Sequence, residues 1–247
     1  MTALVEVNNI SKSFESFLAV DDINFSLEKG EVLGFLGPNG AGKTTTMRIL
    51  TGFLKPSSGS IKINGLDLFK NLKRAREFIG YVPEGSPLYN EMTTIDFLSF
   101  ICEIRNIDKG QNLSKIIKLL DLDEVLLQKI DTLSKGFKRR VGLAQALVHD
   151  PKILILDEPT DGLDPNQKHE VRKLIKKLGK EKSIIISTHI LEEVKAICNR
   201  TMILSNGKLL IDDTPTNVLK KSSSYNNLLV SVHDKSCLLY TSPSPRD

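Results

Sequence analysis

The sequence predicts an α/β fold with a mainly parallel core sheet, an N-terminal antiparallel β subdomain and an inserted α-helical subdomain. Short apolar runs at residues 32–36, 152–157 and 183–188 have the length of strands and suit a sheet that is covered on both faces. Between the first two runs, residues from about 87 to 147 change to a helical period. Near the N-terminus, apolar residues alternate with polar ones, as in a half-buried antiparallel strand.

The strands of the first half are each indicated by a local pattern. Ile23, Phe25 and Leu27 alternate with polar residues and predict a strand with one buried face. Residues 60–64 alternate in the same way, and residues 78–82 form another short strand-like run. We therefore expect an antiparallel unit to flank the first buried strand.

The helical part shows apolar side chains at helical spacing. One face consists of Ile95, Leu98, Ile101 and Ile104. Another face consists of Leu113, Ile116, Ile117 and Leu120. A later helix, after the last buried strand, carries Ile190, Leu191, Val194 and Ile197. Residues 201–211 then predict a hairpin with an Asn206-Gly207 turn.

Composition restricts the class of protein. The 247 residues are 40% hydrophobic, enough for one large α/β domain or two small ones. The net charge of +4 is a mild bias that does not by itself indicate nucleic acid. No apolar run approaches the length of a membrane span, and no signal peptide is visible at the N-terminus. The three cysteines include no close pair, which disfavours a disulfide framework or a zinc site and fits a reducing cytoplasm.

A glycine-rich loop follows the first buried strand. Residues 37–44, "GPNGAGKT", match the phosphate-binding pattern G-x-x-x-x-G-K-[ST] and precede a helix that begins near Lys43. Glycines let backbone N–H groups turn inward, and the helix N-terminus favours an anion at the same place. Lys43 would reach the β- and γ-phosphates of ATP, and Thr44 would ligate Mg²⁺. The alternative is a flexible loop. The predicted nucleotide contacts are Gly37, Pro38, Asn39, Gly40, Ala41, Gly42, Lys43, Thr44 and Thr45.

Two acidic residues and a histidine follow the other buried strands. Asp157 and Glu158 stand at the carboxyl end of the second apolar run, the edge where α/β sheets bind ligands. Asp157 is expected to hold Mg²⁺ and Glu158 to polarise the attacking water. The alternative is that both cap the following turn. His189 ends the third run within reach of the same phosphate, although a lone histidine is usually structural.

The order of these motifs resembles the nucleotide-binding subunit of ABC transporters, from Thr2 to about Leu219. The glycine-rich loop corresponds to Walker A and residues 153–158 to Walker B. Between them lie a loop at Glu84 and "LSKGF" at residues 133–137, which is similar to the family signature LSGGQ. The remaining motifs are a D-loop "DGLD" at residues 161–164 and the switch His189. Each motif alone is modest, but six in order are specific.

The resemblance implies a head-to-tail dimer that holds two ATP molecules at its interface. Walker A of one subunit would close on the signature residues Ser134 and Gly136 of the other, beside the D-loop residue Asp164. Phe14, in "SKSF", matches the position that stacks on adenine, although it could equally be a core phenylalanine. Mg²⁺ would be held by Thr44, Glu84 and Asp157.

Three residues depart from the family pattern. Glu84 replaces the usual glutamine; it still offers oxygen to Mg²⁺ or water, but it adds negative charge near the phosphates. Lys135 and Phe137 replace glycine and glutamine of the signature, while Ser134 and Gly136 remain. Lys135 could add a cation near the partner's nucleotide, but a solvated lysine is the simpler interpretation. These variants are most similar to ATPases of ABC-2-type exporters, including the gliding-motility branch.

The function implied is ATP hydrolysis that drives transport, with export favoured, through a separate membrane permease. The expected partners are that permease and a second ATP-binding subunit, with no nucleic acid. The expected location is cytoplasmic, on the inner face of the cell membrane. The main alternative is an ABC-type ATPase acting on nucleic acid or ribosomes, but no coiled-coil insertion and no second cassette is present. A small-molecule kinase and a non-catalytic nucleotide-binding module fit the motifs less well.

The outer segments and one loop carry separate predictions. Residues 1–220 are assigned to the ATP-binding domain, with the helical subdomain at about 87–147, and 221–236 to the start of a truncated extension. Residues 237–247, "CLLYTSPSPRD", resemble translated sequencing adapter, although a natural tail rich in Ser and Pro is the alternative. The apolar cluster at residues 87–89 is expected either to dock the permease or to cover the helical core.

Overall fold

A computed structural model describes residues 3–85, 87–108 and 110–220. The predictions for residues 221–247 lie outside this range. The strands are β1 (Val5–Phe14), β2 (Phe17–Leu27), β3 (Val32–Leu36), β4 (Ser58–Ile63), β5 (Leu66–Asp67), β6 (Ile79–Val82), β7 (Ile153–Asp157), β8 (Ser183–Thr188), β9 (Arg200–Ser205) and β10 (Lys208–Asp213). The helices are α1 (Lys43–Leu50), α2 (Leu72–Glu77), α3 (Thr94–Ile104), α4 (Gln111–Leu119), α5 (Lys135–Leu147), α6 (Pro165–Leu178), α7 (Leu191–Ile197) and α8 (Pro215–Lys220).

The core is a six-stranded sheet in the order β10-β9-β3-β8-β7-β6, in which only β10 runs antiparallel to its neighbour. Every residue of β7 and β8 is buried. Side chains of β7 alternate between two clusters: Ile153 and Ile155 pack with Met47 of α1, whereas Leu154 and Leu156 pack with the helical part. Both faces are therefore covered, which explains the unbroken apolar runs and confirms the predicted parallel core sheet.

A second sheet at the N-terminus has the order β2-β1-β4-β5, with every pair antiparallel. Ile23, Phe25 and Leu27 of β2 are buried, as their alternation predicts, and pack in the same cluster as β3 and α1. The antiparallel β unit is therefore confirmed as part of the fold class.

The helical part comprises α3, α4 and α5 with two short 3₁₀ turns at Asp123–Val125 and Ile130–Thr132. Leu113, Ile116 and Ile117 of α4 are buried, in agreement with their spacing. The first predicted face is only partly buried: Leu98 is inaccessible, but Ile104 at the end of α3 is 61% exposed. Residues 87–93 contain no helix among those described, so helical structure begins at Thr94 rather than near residue 87.

The hairpin of β9 and β10 turns at Asn206 and Gly207, whose φ angles are 48° and 78°. Positive φ at both central residues is the geometry that Asn-Gly favours in two-residue hairpins, and the prediction is confirmed. The turn also touches the glycine-rich loop, because the Gly207 N–H donates to the Ala41 carbonyl at 3.1 Å. Within the described part of the chain, no helix has the length and apolarity needed to cross a bilayer.

Candidate functional site

The glycine-rich loop joins β3 to α1 and is packed so closely that side chains are excluded at two glycines. Gly42 has a φ of 100°, and a Cβ there would lie 2.6 Å from the Ala19 carbonyl oxygen. At Gly37 a Cβ would collide with the Leu204 carbonyl oxygen. Gly40 also has positive φ, at 80°. The loop therefore adopts a compact turn that needs glycine, and its backbone and the N-terminus of α1 meet at one place.

Lys43 is buried beneath this loop and donates hydrogen bonds to its backbone. Its Nζ donates to the carbonyls of Gly37 at 2.7 Å and Pro38 at 3.1 Å. The same ammonium lies 3.5 Å from a carboxylate oxygen of Glu158. A single cation thus connects the loop after β3 with the carboxylate after β7, in a site screened from bulk water.

Asp157 ends β7 and presents one satisfied and one unsatisfied oxygen. Its Oδ1 accepts from the Ser187 hydroxyl at 2.5 Å and from the Thr44 hydroxyl at 3.3 Å. Its Oδ2 is buried and has no hydrogen-bond partner among the residues that the structure describes. A buried carboxylate oxygen without a donor suits a cation, and the adjacent Thr44 hydroxyl is a second oxygen ligand.

Glu158 adopts a left-handed backbone with φ of 46°, rare for a residue with a side chain. Its N–H donates to the carbonyl and the hydroxyl of Ser187, at 3.2 Å and 3.0 Å, which fixes this turn. Its Oε2 lies 3.1 Å from Nδ1 of His189. Burial raises the pKa of Glu158, while the nearby His189 and Lys43 oppose the rise. A raised pKa brings a carboxylate closer to the range that suits a general base.

Lys43, Thr44 and Glu158 line one pocket of about 340 Å³, whereas Asp157, hydrogen-bonded to Thr44, does not line it. It is lined by Phe17, Ala19, Asn39, Gly40, Gly42, Lys43, Thr44, Thr45, Glu84, Glu158, Asp161 and His189. The pocket thus brings together most of the predicted Walker A residues, the loop residue Glu84, the acid after β7 and the histidine after β8. Gly37, Pro38 and Ala41 belong to the same loop without lining the pocket.

The signature and the D-loop aspartate lie elsewhere in the single chain. Ser134 caps α5 by accepting from the Phe137 N–H, and Asp164 caps α6 by accepting from the Gln167 N–H at 2.9 Å. Ser134 and Gly136 line a separate pocket of about 240 Å³ beside α6. One chain alone therefore does not bring the signature to the glycine-rich loop.

Phe14 is not a core residue. It is 46% exposed, pairs with Phe17 across the β1–β2 turn and lies beneath the Lys12 ammonium. Phe17, rather than Phe14, lines the pocket and is 62% exposed. Directly paired residues in an antiparallel ladder share a face, so the two rings form one exposed aromatic pair beside the pocket.

Sequence reasoning missed three residues at the site and included a fourth, Asp161, only as the first residue of the D-loop. Phe17 and Asp161 line the pocket, and Ser187 orients both Asp157 and the following backbone. Arg139 is buried and donates to the Glu158 carbonyl at 3.2 Å. Burial lowers the pKa of Arg139, whereas the surrounding carboxylates, led by Asp161, raise it. Asp161 carried a signal as the first residue of the D-loop motif, and Ser187 as the polar residue near the end of a buried strand.

A phosphate-binding loop after one parallel strand, with acidic and histidine side chains after its neighbours, defines a P-loop NTPase. Residues 20–161 match the ABC transporter family. This match spans more than half of the sequence, and the chain belongs to that family. It is an ATP-binding, ATP-hydrolysing subunit of an ABC transporter, as the sequence motifs predict.

Individual relatives agree with this assignment. The uncharacterized ABC transporter ATP-binding protein YhcH of Bacillus subtilis (strain 168) is 40% identical over 213 residues, 85% of this chain and 70% of the relative. The bacitracin transport ATP-binding protein BcrA of Bacillus licheniformis is 36% identical over 241 residues, 97% of this chain and 79% of the relative. The solved structure of cbiO1 from Clostridium perfringens, part of the ABC transporter complex cbiONQ, aligns with a TM-score of 0.81 at 29% identity. That alignment covers 90% of this chain and 92% of cbiO1.

Proposed function

We propose that the chain hydrolyses ATP with Mg²⁺ at the interface of a head-to-tail dimer and thereby powers export through a separate membrane permease. The observation that carries this proposal is the pocket in which Lys43, Glu158 and His189 converge, while Ser134 and Gly136 lie outside it. A relative named as a Nod factor export ATP-binding protein, 33% identical over 219 residues, supports export as the direction of transport. The chain would work on the inner face of the cell membrane, attached through the permease.

Mg²⁺ fits the oxygen donors at the end of β7. Asp157 and Thr44 would hold it, with Glu84 contributing from the pocket wall. Within the described part of the chain, no group of three acidic, histidine or cysteine side chains could bind a metal alone. This agrees with a cation that takes one or two carboxylates from protein and the rest from substrate phosphates and water. The ion would neutralise charge on the β- and γ-phosphates.

The other residues have separable roles. Lys43 supplies positive charge for the β- and γ-phosphates, and the glycine-rich loop supplies N–H donors. Glu158 accepts the proton of the attacking water, aided by a pKa that burial raises. His189, at 3.1 Å from Glu158, orients that carboxylate and donates toward the γ-phosphate. The aromatic pair of Phe14 and Phe17 offers a surface for adenine.

The dimer proposal predicts complementation between two inactive variants. Lys43→Ala disables the loop of its own subunit, and Ser134→Arg fills the signature that would face the partner's nucleotide. In a mixed dimer, one of the two composite sites keeps an intact loop and an intact signature. We expect each variant alone to be inactive and their mixture to regain partial ATP hydrolysis.

Phosphate release from the purified variants, separately and mixed, measures this complementation. A mixture of the Lys43→Ala variant with the wild-type chain, at the same dilution, gives the upper limit for the ATPase activity that the mixed variants can regain. If Ser134→Arg hydrolyses ATP normally by itself, or if the mixture stays inactive, the signature does not act across subunits.

The three residues of the loop at 87–89 differ in burial and packing, which bears on the two interpretations of this loop. Leu88 packs against the main core cluster, so it covers the core. Tyr89 is 57% exposed and rests on the rings of Phe97 and Phe100 of α3. Pro87 borders a groove of about 630 Å³ between the core sheet and the helical part.

That groove is the surface that we propose for the permease. Its wall includes Phe53, which is 69% exposed and packs on Tyr81 and Arg76. Three arginines, at positions 48, 76 and 105, line it. An apolar floor ringed by cations fits a short permease segment that carries apolar and acidic side chains. The groove adjoins the nucleotide site, because Tyr81 in its wall lies on β6, which pairs with β7, the strand that ends at Asp157.

Phe53→Asp is expected to abolish co-purification with the membrane permease that we propose as the partner. The added carboxylate would repel acidic side chains and remove the apolar ring, without touching the nucleotide pocket. Leu127→Asp is the matched control, because Leu127 is 84% exposed and lies outside the groove. Basal ATP hydrolysis should stay at the wild-type level in both. Retained co-purification by a folded Phe53→Asp variant would assign docking to another surface.

A further inference from the structure

Glu193 is a buried carboxylate that the ATPase chemistry described above does not use. It lies on α7, only 2% exposed, four residues after His189. Its Oε1 accepts from the Thr160 hydroxyl and from Arg172 Nη2 at 3.2 Å. Its Oε2 accepts from the Thr188 hydroxyl at 2.9 Å. Three donors from three different segments therefore converge on one carboxylate.

Each hydroxyl belongs to a segment that carries a site residue. Thr160 is two residues after Glu158 and directly before Asp161, which lines the pocket. Thr188 precedes His189, and its hydroxyl also accepts from the Ile190 N–H at 3.1 Å, so it bonds the backbone on the far side of the histidine. The Thr188 carbonyl in turn accepts from the Gly37 N–H at 3.3 Å, at the start of the glycine-rich loop.

We propose that Glu193 is a positioning residue that ties the loop after Glu158 to the backbone around His189, so that both side chains face the same phosphate. This inference rests on the catalytic roles proposed for Glu158 and His189. A carboxylate suits the task because it accepts from several donors at once in fixed directions, and hydrogen bonds to a buried charge are strong. Arg172, partly exposed on α6, neutralises the charge that burial would otherwise penalise.

A purely structural role for Glu193 makes a different prediction. In that case its loss would destabilise the packing of α6 and α7 and leave the folded fraction fully active. In the positioning role, misplacement of Glu158 and His189 lowers kcat while ATP affinity is retained, because the phosphate loop and Lys43 are unaltered.

The test uses the purified full chain and three variants. Glu193→Ala removes the acceptor, and Thr160→Val removes one donor with nearly unchanged shape. We expect Glu193→Ala to lower kcat by roughly 10- to 100-fold, the scale of small geometric misplacements, with KM for ATP changed less than about threefold. Thr160→Val should lower kcat in the same way. The double variant should be no slower than Glu193→Ala, because both substitutions remove the same hydrogen bond between Thr160 and Glu193.

Glu31→Ala is the matched control. Glu31 is a partly buried carboxylate that accepts from Arg200 at 3.2 Å, just before β3 and therefore at the strand end opposite the pocket. The Glu31→Ala variant should unfold at a lower temperature than the wild type and keep the wild-type kcat. Wild-type kcat in folded Glu193→Ala, or in Thr160→Val if the alanine variant does not fold, would overturn the positioning role. Strictly additive losses in the double variant would also overturn it.

Glu158→Gln, measured in parallel, separates this inference from the function on which it rests. Normal hydrolysis by Glu158→Gln would overturn the catalytic assignment itself. Loss of hydrolysis in Glu158→Gln together with wild-type kcat in both Glu193→Ala and Thr160→Val would overturn only the role of Glu193.

Discussion

Glu158→Gln is expected to leave ATP binding intact and to slow hydrolysis by roughly 10²–10⁴, the usual contribution of a positioned general base. The amide has nearly the shape of the carboxylate, but it cannot accept a proton from water at neutral pH. The physical basis lies in the structure: Glu158 is held in an unusual backbone turn by Ser187, touches His189 at 3.1 Å and has a pKa that burial raises.

Single-turnover phosphate release and equilibrium ATP binding measure the two halves of this prediction. Because ATP would persist in the composite site, the variant should also remain an ATP-bound dimer, visible as earlier elution in size-exclusion chromatography. Glu192→Gln makes the same chemical change at an exposed position of α7 and should behave as wild type. If Glu158→Gln hydrolyses ATP at the normal rate, the water-activating carboxylate lies elsewhere.

Lys43→Ala is expected to abolish nucleotide binding or to reduce hydrolysis by roughly 10²–10³ or more, the scale for loss of a buried donor to developing charge. Three effects combine. The phosphates lose their cation, and the carbonyls of Gly37 and Pro38 lose the ammonium that holds the loop. Glu158 also loses its nearest cation, 3.5 Å away, which favours its neutral form.

ATP binding and hydrolysis of purified Lys43→Ala measure the first effect, and thermal unfolding measures the second. Lys29→Ala removes an exposed lysine from the turn before β3 and is the control for a simple loss of charge. An unchanged ATPase rate in folded Lys43→Ala would contradict the assignment of the phosphate-binding loop.

Local patterns determined the parts of the fold whose physics is local. The Asn206-Gly207 turn was predictable because only its own backbone must adopt positive φ, and the structure shows φ of 48° and 78° there. The buried strands were predictable because a run without polar residues needs cover on both faces. The loop at residues 37–44 was predictable because its glycines, lysine and threonine act within one short segment.

Other features depend on contacts between distant segments, which a single sequence does not encode in any local period. The order of strands places β8 between β3 and β7 and so brings Ser187 to Asp157. Nothing in the helical period of α5 distinguishes Arg139, which is buried against Glu158, from the partly exposed Lys138 and Arg140 beside it. Ile104 fits the apolar face of α3 but is exposed, because burial depends on what the rest of the chain packs over each turn of a helix.

The residue types proposed for catalysis and their chain order thus follow from the sequence alone, since each motif needs particular side chains at short spacing. Only the tertiary structure decided which of these residues share a pocket. Lys43, Glu158 and His189 meet because parallel strands end at one edge of the sheet, whereas Ser134 and Asp164 cap helices outside that pocket. The physical reason is that strand order and helix packing are set by burial of the whole core, and these long-range contacts position each local motif.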